Sequence, residues 1–316
     1  MKQIEQNEDP KSYNEGHLKV SEEHKIFYHQ YGKPDGPVIL HIHGGPGSSS
    51  KPKYASLYNL KKFRVILFDQ RGCGNSITTD LLKDNTTQDL VEDIEKLRKH
   101  LKINTWKIHG PSWGSTLALL YVQKYPKTVE KMLLRGVYFA SSIENQWIFK
   151  YGANQLFPDK FEEFISQIPS EHREKYLSYL YEIAKGDDYN LKSRLLPAFG
   201  KWEGSILSLV PEDENDDHTD IDKEIASNTI MLHYVNNNFF MKDHEILEPK
   251  SMEKLKDIPI VIINGRYDIV TPMISAWILH KALPHSVLDI VLLAGHHGST
   301  DKDMVKAIQK RIDFDF

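Results

Sequence analysis

Short apolar runs alternate with helical patterns along most of this chain, and this alternation restricts the possible folds more than any other feature. Each run ends near a glycine or a polar turn, as strands buried on both faces of a parallel sheet do. The predicted strands are 25–32, 37–44, 63–72, 106–110, 131–137, 258–265 and 288–295. Strands separated by helices predict an α/β fold with a mostly parallel, doubly wound sheet.

Two helices between these strands have recognisable ends. The stretch "TTQDLVEDIEKLRKHL" has one apolar face, and Thr86 with Asp89 predicts a capping box at its start. The stretch "WGSTLALLYVQKY" predicts a second helix that ends before Pro126, since proline cannot continue a helix.

The alternation is interrupted between residues 140 and 255, where aromatic and charged residues follow helical spacing. We therefore predict a catalytic domain made of 1–139 and 256–316, with 140–255 inserted as a helical cap. The acidic stretch "PEDENDDHTDIDKE" (211–224) lacks the glycine and the spacing of a calcium loop, so we interpret it as a solvated linker.

Composition excludes several classes of protein. The 316 residues carry 40 basic and 44 acidic side chains, a net charge of −4, with no basic stripe, so nucleic acid is not an expected partner. A single cysteine, Cys73, excludes an internal disulfide framework and suits a reducing compartment. We find neither a signal-peptide pattern nor a membrane-spanning run, so we expect a cytoplasmic protein that does not enter membranes.

The segment Gly110-Pro111-Ser112-Trp113-Gly114 fits the pattern G-x-S-x-G between a predicted strand and a predicted helix. That context is the one required of a nucleophile elbow, where a tight turn exposes the serine hydroxyl. The helix N-terminus would also favour a developing oxyanion. The alternative is a glycine-rich turn with an incidental serine, so the partners of the serine decide between them.

A serine nucleophile needs a base and an acid that orients the base, expected in the order Ser, Asp or Glu, His. Asp268 follows the strand "IPIVIING", and His296 follows the strand "LDIVLLAG". Both lie at carboxyl ends of predicted strands, where a doubly wound sheet places its active site. His297 is the neighbouring candidate for the base, although the turn "AGH" favours His296.

The loop "HIHGGPGSS" is suited to an oxyanion hole. The backbone N–H groups of Gly45 and of Trp113, the residue after the nucleophile, are the predicted donors. His41 and His43 could suggest a metal, but the Asp-His that should follow in a metallohydrolase is missing. A phosphate loop would need a Gly-Lys-Ser/Thr ending that the loop lacks.

Several motifs together resemble the proline iminopeptidases, α/β-hydrolase peptidases that remove N-terminal proline. They are "HGGPGSS", "FDQRGCGNS", "GPSWGSTLALLYVQKYP", "LLRGVYFAS", "GKWEGSILSL", "HYVNNNFF" and "NGRYDIVTP", in the family's order. The resemblance implies an α/β-hydrolase fold, the triad Ser112, Asp268 and His296, and no metal or organic cofactor. Cys73, within "DQRGCGNS", is interpreted as a small buried turn residue.

The resemblance also implies a substrate pocket shaped by the cap. Gly44, Tyr138 and Trp147 are expected to contact the substrate, and Glu203 in "KWEGS" matches one of two glutamates that clamp the substrate amino group.

This chain departs from the family pattern at two positions. Met231 stands where the second glutamate is expected, although Glu224, seven residues earlier, would lie on the same face of a continuous helix. Pro111 replaces the usual glycine before the nucleophile and stiffens the turn.

The expected activity is hydrolysis of peptides that carry N-terminal proline, through an acyl-enzyme. The alternatives are an esterase or amidase on the same scaffold, or a ligand-binding protein that retains the triad without useful turnover. Nothing in the sequence indicates the oligomeric state.

Overall fold

A mixed β-sheet forms the centre of the computed structural model, which describes residues 9–208, 220–298 and 301–316. Its strands are β1 (Asn14–Lys19), β2 (His24–Gly32), β3 (Val38–Ile42), β4 (Arg64–Asp69), β5 (Ile77–Thr78), β6 (Trp106–Pro111), β7 (Val129–Arg135), β8 (Ile260–Gly265) and β9 (Val287–Val291). They lie in the order β1-β2-β4-β3-β6-β7-β8-β9, with β5 beside β2. Neighbours in the run β4-β3-β6-β7-β8-β9 pair in parallel. Strand β2 is antiparallel to β4, and β1 and β5 each pair antiparallel with β2. The predicted α/β fold is confirmed.

Four predicted strands end earlier than expected, namely 37–44, 63–72, 131–137 and 288–295, and the last two end at Arg135 and Val291. Two observed strands were not predicted. The segment 37–44 leaves the sheet after Ile42, and 63–72 leaves it after Asp69, so the motifs that follow are loops at the carboxyl edge. Strand β1 escaped prediction because its residues are polar and mostly exposed, as an edge strand permits. Strand β5 has only two residues.

Helices cover both faces of the sheet. They are α1 (Thr87–His100), α2 (Trp113–Lys124), α3 (Ser142–Phe149), α4 (Ala153–Leu156), α5 (Pro158–Ile165), α6 (Tyr176–Lys185), α7 (Tyr189–Ser205), α8 (Ile221–Asn236), α9 (Pro249–Met252), α10 (Met273–Ala282) and α11 (Lys302–Asp315). One apolar layer joins the sheet to α1, α2 and α10, and another joins it to α11. Within the described ranges, no helix is both long enough and apolar enough to cross a membrane.

The predicted ends of two helices are confirmed. The hydroxyl of Thr86 accepts a hydrogen bond from the backbone N–H of Asp89, and the Asp89 carboxylate accepts one from the backbone N–H of Thr86. Helix α2 ends at Lys124, two residues before Pro126. Both boundaries therefore fall where the local signals predict them.

Residues 140–208 and 220–255 contain helices and turns but no strand. Helix α8 packs against α6 and α7 and reaches the sheet domain where a Cβ on Gly47 would lie 2.3 Å from the carbonyl oxygen of Ser227. Of the acidic stretch 211–224, residues 211–219 lie outside the described residues. The linker interpretation is wrong for 220–224, because the Asp220 side chain caps the N-terminus of α8.

Candidate active site

Ser112 lies in the turn between β6 and α2. Its backbone has φ of 56° and ψ of −128°, in the left-handed half of the map that side-chain-bearing residues rarely occupy. The flanking glycines have no space for a side chain. A Cβ on Gly114 would lie 2.0 Å from the carbonyl oxygen of Ile42, and one on Gly110 would lie 2.4 Å from that of Gly114. The turn is therefore a tight strand-to-helix elbow that presents Ser112.

Asp268 and His296 meet at the same edge of the sheet. They follow β8 and β9, and His296 Nδ1 donates to the Asp268 carboxylate at 2.8 Å from Oδ2 and 3.0 Å from Oδ1. Both residues are buried. Thr271 donates two further hydrogen bonds to the carboxylate, with its N–H 2.8 Å from Oδ1 and its hydroxyl 2.9 Å from Oδ2. These contacts fix the Asp268 carboxylate and leave Nε2 of His296 as the nitrogen for proton transfer.

The sequence did not indicate Arg135, which holds two parts of the site. Its carbonyl oxygen accepts the N–H of Ser112 at 2.8 Å, and its Nη1 donates to the carbonyl oxygen of His296. The N–H of His296 donates to the carbonyl oxygen of Leu207, two residues after α7, with a nitrogen–oxygen distance of 3.1 Å. The His296 peptide is thus bonded to β7 on one side and to the segment after α7 on the other.

Ser112, His296 and His297 line one cavity of about 1460 Å³. Asp268 bonds to His296, which supports His296 as the base. In the described part of the chain, no hydrogen bond joins the Ser112 hydroxyl to His296. Such bonds often shorten only in the substrate complex.

The glycine loop after β3 lies directly against Ser112. A Cβ on Gly44 would be 3.2 Å from Ser112 Cβ and 3.7 Å from its Oγ. Gly45 has φ of 111°, and both glycines line the cavity. Trp113 begins α2, so its backbone N–H has no acceptor one turn earlier within the helix. Gly45 and Trp113 therefore lie on the two segments that flank the nucleophile.

The histidines of the glycine loop have protein partners. His41 Nδ1 lies 2.8 Å from the hydroxyl of Tyr58, and His43 Nδ1 donates to the carbonyl oxygen of Gly44 at 2.8 Å. Burial lowers the pKa of His41 to about 3 and that of His43 to about 4, so both are neutral near pH 7. No cluster of three metal-ligating side chains occurs among residues 9–208, 220–298 and 301–316.

Cys73 is a buried residue of the turn after β4, and its Sγ lies 3.5 Å from the carbonyl oxygen of Arg71. Burial raises the pKa of the thiol well above its ordinary value. A thiolate nucleophile is therefore disfavoured here, and the interpretation as a small buried turn residue is confirmed.

Glu203, Glu224 and Met231 line the cavity from the side of α7 and α8. Glu203 is partly buried, and its carboxyl group accepts no hydrogen bond from the described residues; burial raises its pKa to about 8. Burial also raises the pKa of Glu224. Met231 lies two helical turns after Glu224 in the same continuous helix.

Tyr138 and Trp147 do not reach the cavity lining in the described part of the chain. The Tyr138 hydroxyl donates to Asn145, and the Trp147 indole donates to the carbonyl oxygen of Ile269 at 2.7 Å. Burial raises the pKa of Tyr138, and the nearby carboxylates of Glu144 and Glu203 raise it further. The expectation that Tyr138 and Trp147 contact the substrate therefore finds no support in the cavity lining.

Comparisons with known proteins agree with this geometry. The model of the alpha/beta hydrolase fold family matches residues 37–303. Proline iminopeptidases from Arabidopsis thaliana, Xanthomonas citri and Neisseria meningitidis serogroup B are 42%, 39% and 35% identical to this chain. The matches cover 90%, 90% and 95% of this chain and 75%, 91% and 96% of the relatives.

Among solved structures, an esterase from Exiguobacterium antarcticum superposes with a TM-score of 0.63 at 18% identity, covering 92% of this chain and 96% of that chain. A likeness at that identity concerns the fold alone.

Proposed function

The chain belongs to the proline iminopeptidase family of α/β hydrolases, and we propose that it releases N-terminal proline from peptides through an acyl-enzyme on Ser112. The observation that carries this proposal is the Asp268–His296 hydrogen bond beside a serine elbow, in a cavity that also contains Glu203. The relatives support the assignment of the reaction, and the geometry supports the assignment of the residues.

Acylation follows from the positions of the three side chains. His296 Nε2 removes the proton of Ser112, and Oγ attacks the carbonyl carbon of the N-terminal residue. Asp268 holds Nδ1–H and stabilises the imidazolium that forms. The N–H groups of Gly45 and Trp113 stabilise the oxyanion. His296 then protonates the leaving amine, and water, activated by the same base, hydrolyses the acyl-enzyme and restores Ser112.

Recognition of the free amino group is assigned to Glu203. The Glu203 carboxyl group is partly buried and has no hydrogen-bond donor among the described residues. Desolvation therefore favours its uncharged, protonated form, as its raised pKa indicates. A substrate ammonium would supply the missing donor and the compensating charge, which favours the ionised carboxylate. An acylated N-terminus has neither, so Glu203 favours cleavage after the first residue.

The second acidic position of the family is altered here. Met231 cannot pair with an ammonium, whereas Glu224 lines the same cavity from the same helix. We propose that the partly solvated carboxylate of Glu224 also binds the substrate amino group, more weakly than Glu203 does. The apolar Met231 is also the feature that favours the competing activity, hydrolysis of neutral esters.

A substrate comparison tests the proposal. The rates on a prolyl arylamide, its N-acetylated form and a p-nitrophenyl ester should differ, with the free arylamide preferred over the acetylated one. Glu203→Gln should raise KM for the free amine roughly 10- to 100-fold, the equivalent of one charge-assisted hydrogen bond, and leave ester hydrolysis little changed. The exposed Glu162→Gln is the matched control. Hydrolysis of the ester alone would instead establish an esterase, and hydrolysis of none a binding protein.

Three further assignments belong to this proposal. We infer a catalytic domain of 1–139 with 256–316 and a cap of 140–255, a division supported by the absence of strands from 140–208 and 220–255. We infer peptides with N-terminal proline as the substrate. A cytoplasmic location is supported by the single, buried Cys73.

A further inference from the structure

Gln70 lies in the loop after β4, and its side chain joins the two segments that flank Ser112. Its Nε2 donates to the carbonyl oxygen of His43 at 2.9 Å, and its Oε1 accepts the indole N–H of Trp113 at 3.0 Å. The amide orientation is unambiguous, because an indole only donates and a carbonyl only accepts. Gln70 is 2% exposed, so water does not compete for these bonds.

His43 extends this connection to the glycine loop. The backbone N–H of Gln70 donates to His43 Nε2 at 3.0 Å, which requires Nε2 to be unprotonated. The proton of the neutral ring is therefore on Nδ1, which donates to the carbonyl oxygen of Gly44 at 2.8 Å. Burial keeps the pKa of His43 near 4, so this tautomer persists across the neutral range.

The Gly44 carbonyl and the Gly45 N–H belong to one planar peptide group and point in opposite directions. A hydrogen bond that holds the carbonyl therefore aims the N–H, and it also polarises that N–H as a donor. Glycine residues have little intrinsic preference that could fix this plane, and Gly45 has φ of 111°. The plane thus depends on His43.

We propose that Gln70 is a positioning residue that aligns the two oxyanion donors with each other, through His43 for Gly45 and through the indole for Trp113. This inference rests on the proposed oxyanion roles of Gly45 and Trp113. Gln70 itself touches neither substrate nor the reacting atoms. Its contribution appears in the transition state, where the oxyanion forms.

Gln70→Met tests the role, because methionine keeps the length of the side chain. It removes the side-chain hydrogen bonds to the His43 carbonyl and to the Trp113 indole. The matched control is Gln123→Met, a buried glutamine of α2 whose Nε2 donates to the carbonyl oxygen of Ile246 at 2.8 Å. We expect kcat on a prolyl arylamide to fall about tenfold or more, toward the 10²–10³-fold cost of losing one oxyanion donor, with KM changed less than about twofold. Gln123→Met should leave both constants unchanged.

Two inhibitors distinguish a loss of alignment of the oxyanion donors from a general disturbance of the active site. Pyrrolidine-2-boronic acid forms a tetrahedral adduct with a serine nucleophile and places a hydroxyl in the oxyanion hole, whereas proline binds only as product. Gln70→Met should raise the inhibition constant of the boronic acid by the same factor by which it lowers kcat/KM. It should leave the inhibition constant of proline unchanged. His43→Asn, which retains a donor next to the Gly44 carbonyl, should lose less activity than His43→Leu.

An equal increase in the inhibition constants of proline and of the boronic acid in Gln70→Met would overturn the inference. A kcat of Gln70→Met within twofold of the wild-type value would overturn it as well. Failure of the proposed function is distinguishable from these outcomes. If the wild-type protein hydrolyses only esters, the same comparison uses ester kcat. If it turns over neither substrate, the rate at which a fluorophosphonate modifies Ser112 replaces kcat, since that reaction also uses the oxyanion donors.

Discussion

At the scale of single residues, Ser112 is the proposed nucleophile. Its backbone has a positive φ, it lies between Gly110 and Gly114, and it lines the cavity that His296 also lines. We expect Ser112→Ala to lower kcat on the order of 10⁶-fold, because triad members act as a unit. A fluorophosphonate should label Ser112 and not Ser227, which lines the same cavity. Labelling of Ser227 with Ser112 unmodified would contradict the assignment.

The ionisation of Glu203 predicts an effect on stability as well as on binding. Its pKa is about 8 in the folded chain against an ordinary value of 4.5, so the folded state holds a proton that the unfolded chain has lost between these pH values. The free energy of unfolding therefore falls, through this group, as pH rises from about 4.5 to 8.

Glu203→Gln removes this ionisation. In chemical denaturation, we expect the midpoint of the variant minus that of the wild-type protein to be larger at pH 8.5 than at pH 5. The exposed Glu162→Gln should show no such trend. A difference between Glu203→Gln and wild type that stays constant with pH would show that the carboxyl group is already ionised in the folded state.

At the scale of elements, helix α8 places Glu224 and Met231 along one wall of the cavity. It is continuous from Ile221 to Asn236, so Glu224 and Met231 lie on one face, and both line the cavity. We expect Met231→Glu to increase the rate ratio of free to N-acetylated prolyl arylamide, and Glu224→Gln to decrease it. The exposed Glu162→Gln, outside the cavity lining, is the control. An unchanged ratio in both variants would exclude α8 from amine recognition.

At the scale of the whole molecule, buried histidines link folding to pH. Burial lowers the pKa of His29 and His43 to about 4, that of His41 to about 3, and that of His109 well below 6.5. Below pH 6.5 the unfolded chain takes up protons that these folded-state rings do not, so stability falls as pH is lowered from about 6.5 to 4. Asp69 and Glu203, whose pKa values burial raises to about 6 and about 8, each oppose this trend with one proton.

Chemical denaturation at pH 7, 6 and 5 measures the combined effect. The free energy of unfolding should decrease at each step, and His29→Gln should reduce the slope by up to one proton, roughly 1.4 kcal/mol per pH unit. His172→Gln, at an exposed position, should leave the slope unchanged. Greater stability at pH 5 than at pH 7 would contradict the neutral state of the buried rings.

The sequence by itself determined the parts of this protein that depend on neighbouring residues. Apolar runs of strand length, the Thr86–Asp89 capping box and Pro126 each specify local geometry, so the parallel sheet and the boundaries of two helices were predictable. The elbow at Ser112 was predictable for the same reason, since small flanking residues are a local steric requirement. Edge strand β1 was not, because an exposed antiparallel strand needs no apolar pattern.

Only the tertiary structure decided which side chains act together across long stretches of chain. Asp268 bonds to His296 although His297 is adjacent in sequence, and Arg135 reaches the His296 carbonyl from β7. Likewise, the raised pKa of Glu203 depends on desolvation in the cavity wall, and the link from Gln70 to Trp113 spans 43 positions. Hydrogen bonds, burial and ionisation are properties of three-dimensional neighbourhoods, which residue order specifies only after the chain has folded.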